Sequence, residues 1–210
     1  MEVDLICDLK QFEKIKNNWN SVYAADKNAI FYVSWIWLRS LFELEWMKKK
    51  WFILAIRLNG ESQYIGFFPL CHLESATQLA MAGHYLASHT GIICLPEFEK
   101  RVLSVLAAHI QNNLYWEQFV VRDTFDPRIE NLLQHFISKK YNIEQTDYRK
   151  YSQLFLPSAW DEYLQTQLSN NTRKALRKKT RKIEKLDDFH ITLANDDNID
   201  LYINDLTPKN

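Results

Sequence analysis

Between residues 51 and 71 the chain is apolar at nearly every position, WFILAIRL followed after a short polar gap by YIGFFPLC. Runs this short and this rich in branched and aromatic side chains predict two strands. Asn59-Gly60 between them supplies the positive φ of a tight hairpin. Gly66 and Pro69 interrupt the second arm, predicting a bulge or an edge position there, because proline cannot donate to a ladder. On either side of this block the apolar spacing lengthens to three and four, the period of a helix with one buried face. Phe12, Ile15, Trp19 and Val22 predict one helix after a first strand in VDLIC. Trp37, Leu38, Leu41, Phe42 and Leu44 predict another, with Ser34 as its cap. Val102, Val105, Leu106 and Ile110 mark a third. Ile129, Leu132, Leu133, Phe136 and Ile137 mark a fourth, opened by Asp126 as cap and Pro127 at the first helical position.

Shorter apolar pieces complete the pattern. TQLAMAG and GIICL predict strands flanking the loop HYLASHT, and WEQFVVRD predicts another. YNIEQTD and YSQLFLP supply further strand before Pro157 and Ser158 open a helical region. Past Leu186, FHITLAND predicts one more strand, and Ile199, Tyr202, Ile203 and Leu206 one face of a short helix. The elements run strand, two helices, hairpin, strand, helix, strand, helix, strand: an α/β chain (α+β, with a mixed sheet).

Length and composition agree, since 210 residues with 47% apolar and 14% aromatic content can bury one good core, or one core and a smaller appendage. Cys7, Cys71 and Cys94 are far apart, odd in number and without C-x-x-C spacing. They predict reduced thiols and argue against a disulfide framework or a zinc site. The start MEVDLICDLK lacks a signal-peptide pattern, and no apolar run approaches the roughly 18 residues of a membrane span. The expectation is a cytoplasmic protein without a membrane anchor.

Charge changes the picture in one place. The formal net charge is zero, yet eight of the 26 Lys and Arg lie between Arg173 and Lys185 beside a single acid, Glu184. The rest of the chain keeps 18 basic and 25 acidic residues, and six Asp with no Lys or Arg fall between Leu186 and Leu206. Arg173, Arg177, Arg181 and Lys185 recur every four residues, with Lys174, Lys178 and Lys182 as the adjacent row. Each like-charge pair at that spacing costs about 0.2–0.5 kcal/mol in an isolated helix, so the segment calls for an anion. Three present themselves: the chain's own acids, a phosphorylated or otherwise anionic small molecule gripped by arginine forks, and nucleic acid. A neutral overall balance and the lack of interleaved aromatics count against nucleic acid. Arg173, Arg177, Lys178 and Arg181 are the candidate anion ligands.

Three stretches, FYVSWIWLRSLFE, FILAIRLNGESQYIGFFPL and LFLPSAWDEYLQTQLSNNTRKALRKKTRKIEKLDDFHI, together resemble the FemAB-like and CelD-type acyltransferases of the GNAT superfamily, whose element order the chain also follows. The resemblance spans essentially the whole chain. It is most specific where a strand ending in Leu-Pro leads to a Trp-Asp-x-Tyr helix and then to the basic helix. It implies two GNAT-like domains in tandem, the first degenerate. The implied activity is N-acyl transfer from acyl-CoA or an aminoacyl carrier to an amine of a sugar or peptide precursor, in cell-envelope or exopolysaccharide biosynthesis. On that pattern residues 1–157 form the degenerate GNAT-like domain, 158–187 a helical linker carrying the basic helix, and 188–210 the start of a second domain. The chain ends 24 residues past Leu186, so that second domain is expected to be truncated, with a separate second GNAT half as the implied partner. The alternative is a non-catalytic half that binds substrate or a partner chain.

In this superfamily the coenzyme A pyrophosphate rests on backbone N–H groups at a helix N-terminus, reached through a Q/R-x-x-G-x-G/A turn. The corresponding place reads GIICLPEFEKRV: there is no glycine pair, Pro96 removes a donor, and Glu97 and Glu99 repel phosphate. The four glycines, Gly60, Gly66, Gly83 and Gly91, form no G-x-G anywhere. Acyl-CoA as co-substrate thus rests on the resemblance, and no residue is assigned as catalytic base. His84, Ser88 and His89, all within GHYLASH, are candidate pocket-lining residues, with ordinary surface histidines as the plain alternative. His109 reads as a core or boundary residue, Cys94 as a small hydrophobe, and Trp35 and Trp37 as core more than as a stacking platform. No His pair has i, i+4 spacing around a carboxylate, so no metal is expected.

Overall fold

The apolar block folds as the hairpin its pattern predicts, β2 (Trp51–Arg57) against β3 (Tyr64–His72), from Trp51↔Cys71 to Arg57↔Tyr64. Asn59 and Gly60 centre a turn closed by the Glu61 N–H donating to Leu58 O (3.0 Å), with Gly60 at φ 80°. The register shifts between Ile56 and Arg57, so Ile65 is the extra residue and the bulge lies beside Gly66. Pro69 is not on an edge: β3 is central, and Pro69 sits where its outer side changes partner. Residues 66–67 pair with β5 (Ile93–Cys94) and residues 70–72 with β4 (Gln78–Met81). A missing N–H is tolerated at that junction.

The computed structural model describes residues 1–83, 86, 89–122, 124, 126–136, 140–144, 154, 156–186, 189–195 and 197–206. They fall into two units, Met1–Thr146 and Asp147–Asn210. In the first, β1 (Glu2–Ile6), β2, β3, β4 and β6 (Gln118–Val120) lie side by side, antiparallel except for the parallel β4–β6 pair. The sheet is mixed, as expected. β2 is apolar throughout because both of its faces are covered. Trp51, Ile53 and Ala55 join Phe12, Trp19, Leu38 and Phe42 from α1 (Leu9–Lys14), α2 (Lys16–Ala25) and α3 (Trp35–Phe42). Phe52, Leu54 and Ile56 join Val102, Leu106, Ile129 and Leu132 from α4 (Glu99–Asn113) and α5 (Pro127–Gln134).

Several boundaries differ from the pattern's expectation. The helix predicted through Ile15 is two, α1 and α2, meeting at Ile15 (φ −94°, ψ 3°). α3 stops at Phe42 and leaves Leu44 exposed, while Ser34 caps it through the Trp37 N–H. The described part of YNIEQTD, 141–144, forms no strand beyond a single bridge at Tyr141, YSQLFLP is described only at 154, 156 and 157, and the described part of FHITLAND, 189–195, forms no strand. The second unit carries α6 (Trp160–Gln167), α7 (Asn170–Ile183) and α8 (Ile199–Leu206). Among the described residues no helix is long and apolar enough to cross a membrane.

Candidate functional site

The parallel pair β4–β6 is short, Gln78–Ala80 beside Gln118–Val120. Beyond it, β5 is the next strand of the chain and pairs with β3, while β6 ends at Val120. Among the described residues the outward side of β5 has no neighbouring strand, and its backbone groups must find other partners. Three side chains supply them. The Cys94 N–H donates to Asp26 Oδ2 (2.9 Å), the Ile92 N–H to Asp126 Oδ2 (3.3 Å), and Ile92 O accepts from Arg128 Nη2 (2.6 Å).

These side chains also hold one another. Arg128, 1% exposed, places Nε and Nη2 on the two Asp126 oxygens (2.7 and 2.8 Å), and Nη1 on Asp26 Oδ2 (2.6 Å) and Cys94 Sγ (3.5 Å). All five guanidinium donors are used, with a bidentate fork on Asp126. Asp126 also caps α5 through the Arg128 N–H (3.0 Å), and Asp26 Oδ1 accepts the Asn28 N–H (2.9 Å). Gly91 makes room: a Cβ there would lie 2.7 Å from Asp126 Oδ2. Burial works against the Arg128 charge, but Asp126 and then Asp26, through hydrogen bonds and charge, outweigh it and hold its pKa above the ordinary value. Burial pushes the Cys94 thiol up to about 11, the neighbouring Arg128 notwithstanding, and the Cys71 thiol up to about 12. Neither is a nucleophile at neutral pH.

The sequence reading placed Asp126 as a cap but missed Asp26 and Arg128. A signal existed. Asp26 is the C-cap of α2 and Arg128 lies in the first turn of α5, each the wrong sign for its helix end. Two such misplacements that satisfy each other are a sign of a buried pair.

Beside this clamp is a cavity of about 90 Å³ whose walls include Asn28, Ile30, His89, Thr90, Gly91 and Asp126. His89 stands in it, whereas His84 and Ser88 lie outside the described residues. Burial lowers the pKa of His109, which is half-buried on α4. Trp35 is core, donating to Phe12 O (3.5 Å); Trp37 is half-buried against Phe31 and Tyr32. Among the described residues no group of three or more His, Cys, Asp or Glu could hold a metal ion.

The α4 N-terminus does not fit a coenzyme A pyrophosphate. A 3-10 turn led by Pro96, which lacks an N–H, runs into it, and Glu97 and Glu99 put two carboxylates in these first turns, where they would repel the anion.

On α7, Ser169 caps the helix through the Thr172 N–H (3.2 Å). Arg173 is engaged locally, donating to Leu164 O (3.3 Å), Gln165 O (2.8 Å) and Asn170 Oδ1 (3.2 Å), and so closes the end of α6. Arg177, Lys178 and Arg181, with Lys174, Lys182 and Lys185, line an open groove of about 440 Å³. None of these six forms an ion pair with a described acid.

No family model and no curated protein matches the chain. Among solved structures it is similar to a ribosomal-protein-alanine N-acetyltransferase from Brucella melitensis biovar Abortus 2308, at 15% identity and a TM-score of 0.40, over 74% of this chain and 100% of that one.

Proposed function

We propose that the chain is a component of a GNAT-type N-acyltransferase of the FemAB-like, CelD-type kind, in which the first unit keeps the fold as a scaffold and holds no acyl donor. The element order and the sequence resemblance support the superfamily. The scaffold role rests on one observation: on the outward side of β5, where an extended ligand would add by main-chain hydrogen bonds, the Ile92 N–H, Ile92 O and Cys94 N–H are already taken by Asp126, Arg128 and Asp26. The acidic, proline-led start of α4 agrees with it. Transfer requires a base to take a proton from the acceptor amine, whose nitrogen then forms the amide bond at the acyl carbonyl as the thiolate or carrier oxygen leaves. That chemistry belongs to residues outside the first unit, and the acceptor class is an amine on a sugar or peptide precursor.

The test is calorimetric titration of the whole chain with coenzyme A, acetyl-CoA and a longer acyl-CoA at low salt, repeated on Arg177→Ala/Arg181→Ala. The expected affinity is independent of the acyl group and disappears in the double variant. Saturable, acyl-dependent binding that survives the substitutions would place a donor site in the first unit and sink this reading.

A further inference from the structure

We propose that α7 binds a ligand carrying two or more linked phosphates, laid along the groove between its two cationic rows. Lys174, Lys178 and Lys182 form one row, and Arg177, Arg181 and Lys185 the other. From Lys174 to Lys182 they span about 12 Å of helix axis at 1.5 Å per residue, with Lys185 just past the helix end. Rows of like charge at i, i+4 destabilise the helix that carries them, and here no described acid relieves them within the unit. The arrangement is relieved when an anion enters.

The size of the cluster selects the anion. A single phosphate carries a charge of about −1.5 to −2 near neutral pH, which leaves most of six cations uncompensated. A chain of linked phosphates meets both rows at once, and Arg177 and Arg181, one turn apart, offer two forks to successive phosphoryl groups. A lipid surface fits less well. Membrane affinity of an amphipathic helix scales with the apolar area it can insert, and opposite its cationic face α7 offers only Leu176 and Ile183, with Ala175 beside them. A nucleic acid fits less well too, because the face carries no aromatic side chain on which a base could stack. Arg173, committed to the end of α6, is left out of the site.

The experiment titrates the whole chain at low salt with inorganic tripolyphosphate, pyrophosphate and orthophosphate, and separately with a single-stranded homopolymeric oligonucleotide. One saturable site is expected, at least tenfold tighter for tripolyphosphate than for orthophosphate. Arg177→Ala/Arg181→Ala should weaken it tenfold or more with helix content unchanged by circular dichroism, since alanine is the strongest helix former. Equal affinity for ortho- and tripolyphosphate, or affinity unchanged in the variant, would overturn the proposal. An oligonucleotide bound tenfold tighter than tripolyphosphate would overturn it in favour of a nucleic-acid surface. Acyl-dependent coenzyme A binding that survives the double substitution defeats the scaffold reading and leaves this one standing.

Discussion

A buried guanidinium must place every one of its N–H groups, and Arg128 does so on Asp126, Asp26, Ile92 O and Cys94 Sγ. Because two carboxylates surround one cation, removing the cation strands two buried negative charges on the outward side of β5. Arg128→Met should therefore destabilise the protein by about 3–5 kcal/mol, the usual cost of breaking a buried pair from one side. The midpoint of urea unfolding checks this. Arg128→Met combined with Asp26→Asn and Asp126→Asn should recover part of the loss, because no buried charge then remains. If the single and triple variants unfold alike, the three groups do not act as a unit. Asp126 was legible as a cap from the Asp-Pro start of a helix, but its second duty was not, since that depends on Ile92, 34 positions away, and on the fold that brings Asp26 to Arg128 from 102 positions away.

At the scale of elements, α7 sets stability against binding. Lys178→Glu would place an acid between Lys174 and Lys182, turning two repulsive i, i+4 pairs into attractive ones, each worth about 0.2–0.5 kcal/mol. The expected result is a helix as stable as the original or slightly more so, with oligophosphate affinity reduced at least tenfold. Thermal melts and the calorimetric titration read the two effects separately, and loss of both would show that α7 had simply unfolded. Elements with a long apolar period, α4 and α5, were legible because burial of one face specifies them. The break at Ile15 was not, since the apolar positions keep their helical spacing across it. FHITLAND carries alternation, yet a strand needs a neighbour to take its N–H and C=O groups, and 189–195 has none among the described residues.

Over the whole molecule, charge is segregated to a degree that the neutral total conceals. The segment from Arg173 to Lys185 holds eight basic residues and one acid, and the remainder of the chain 18 basic and 25 acidic. The two parts carry opposite net charges of equal size, and at the sequence pI of about 7.0 no overall repulsion keeps copies apart. Near pH 7 and about 10 mM salt, where the Debye length is about 30 Å, the basic helix of one copy should attract the acidic surface of another. Sedimentation velocity should show reversible association that weakens as salt is raised. The exposed Ile191, Leu193 and Leu201, at 79%, 82% and 61%, offer a competing route to association, with the opposite dependence, because apolar contacts are not screened and salting-out ions strengthen them. Association that grows with salt would assign the contact to those side chains. Association that fades with salt, and is absent from Arg177→Ala/Arg181→Ala at low salt, would assign it to the same cations that line the groove, so that an oligophosphate ligand should disperse the assemblies by competing for them.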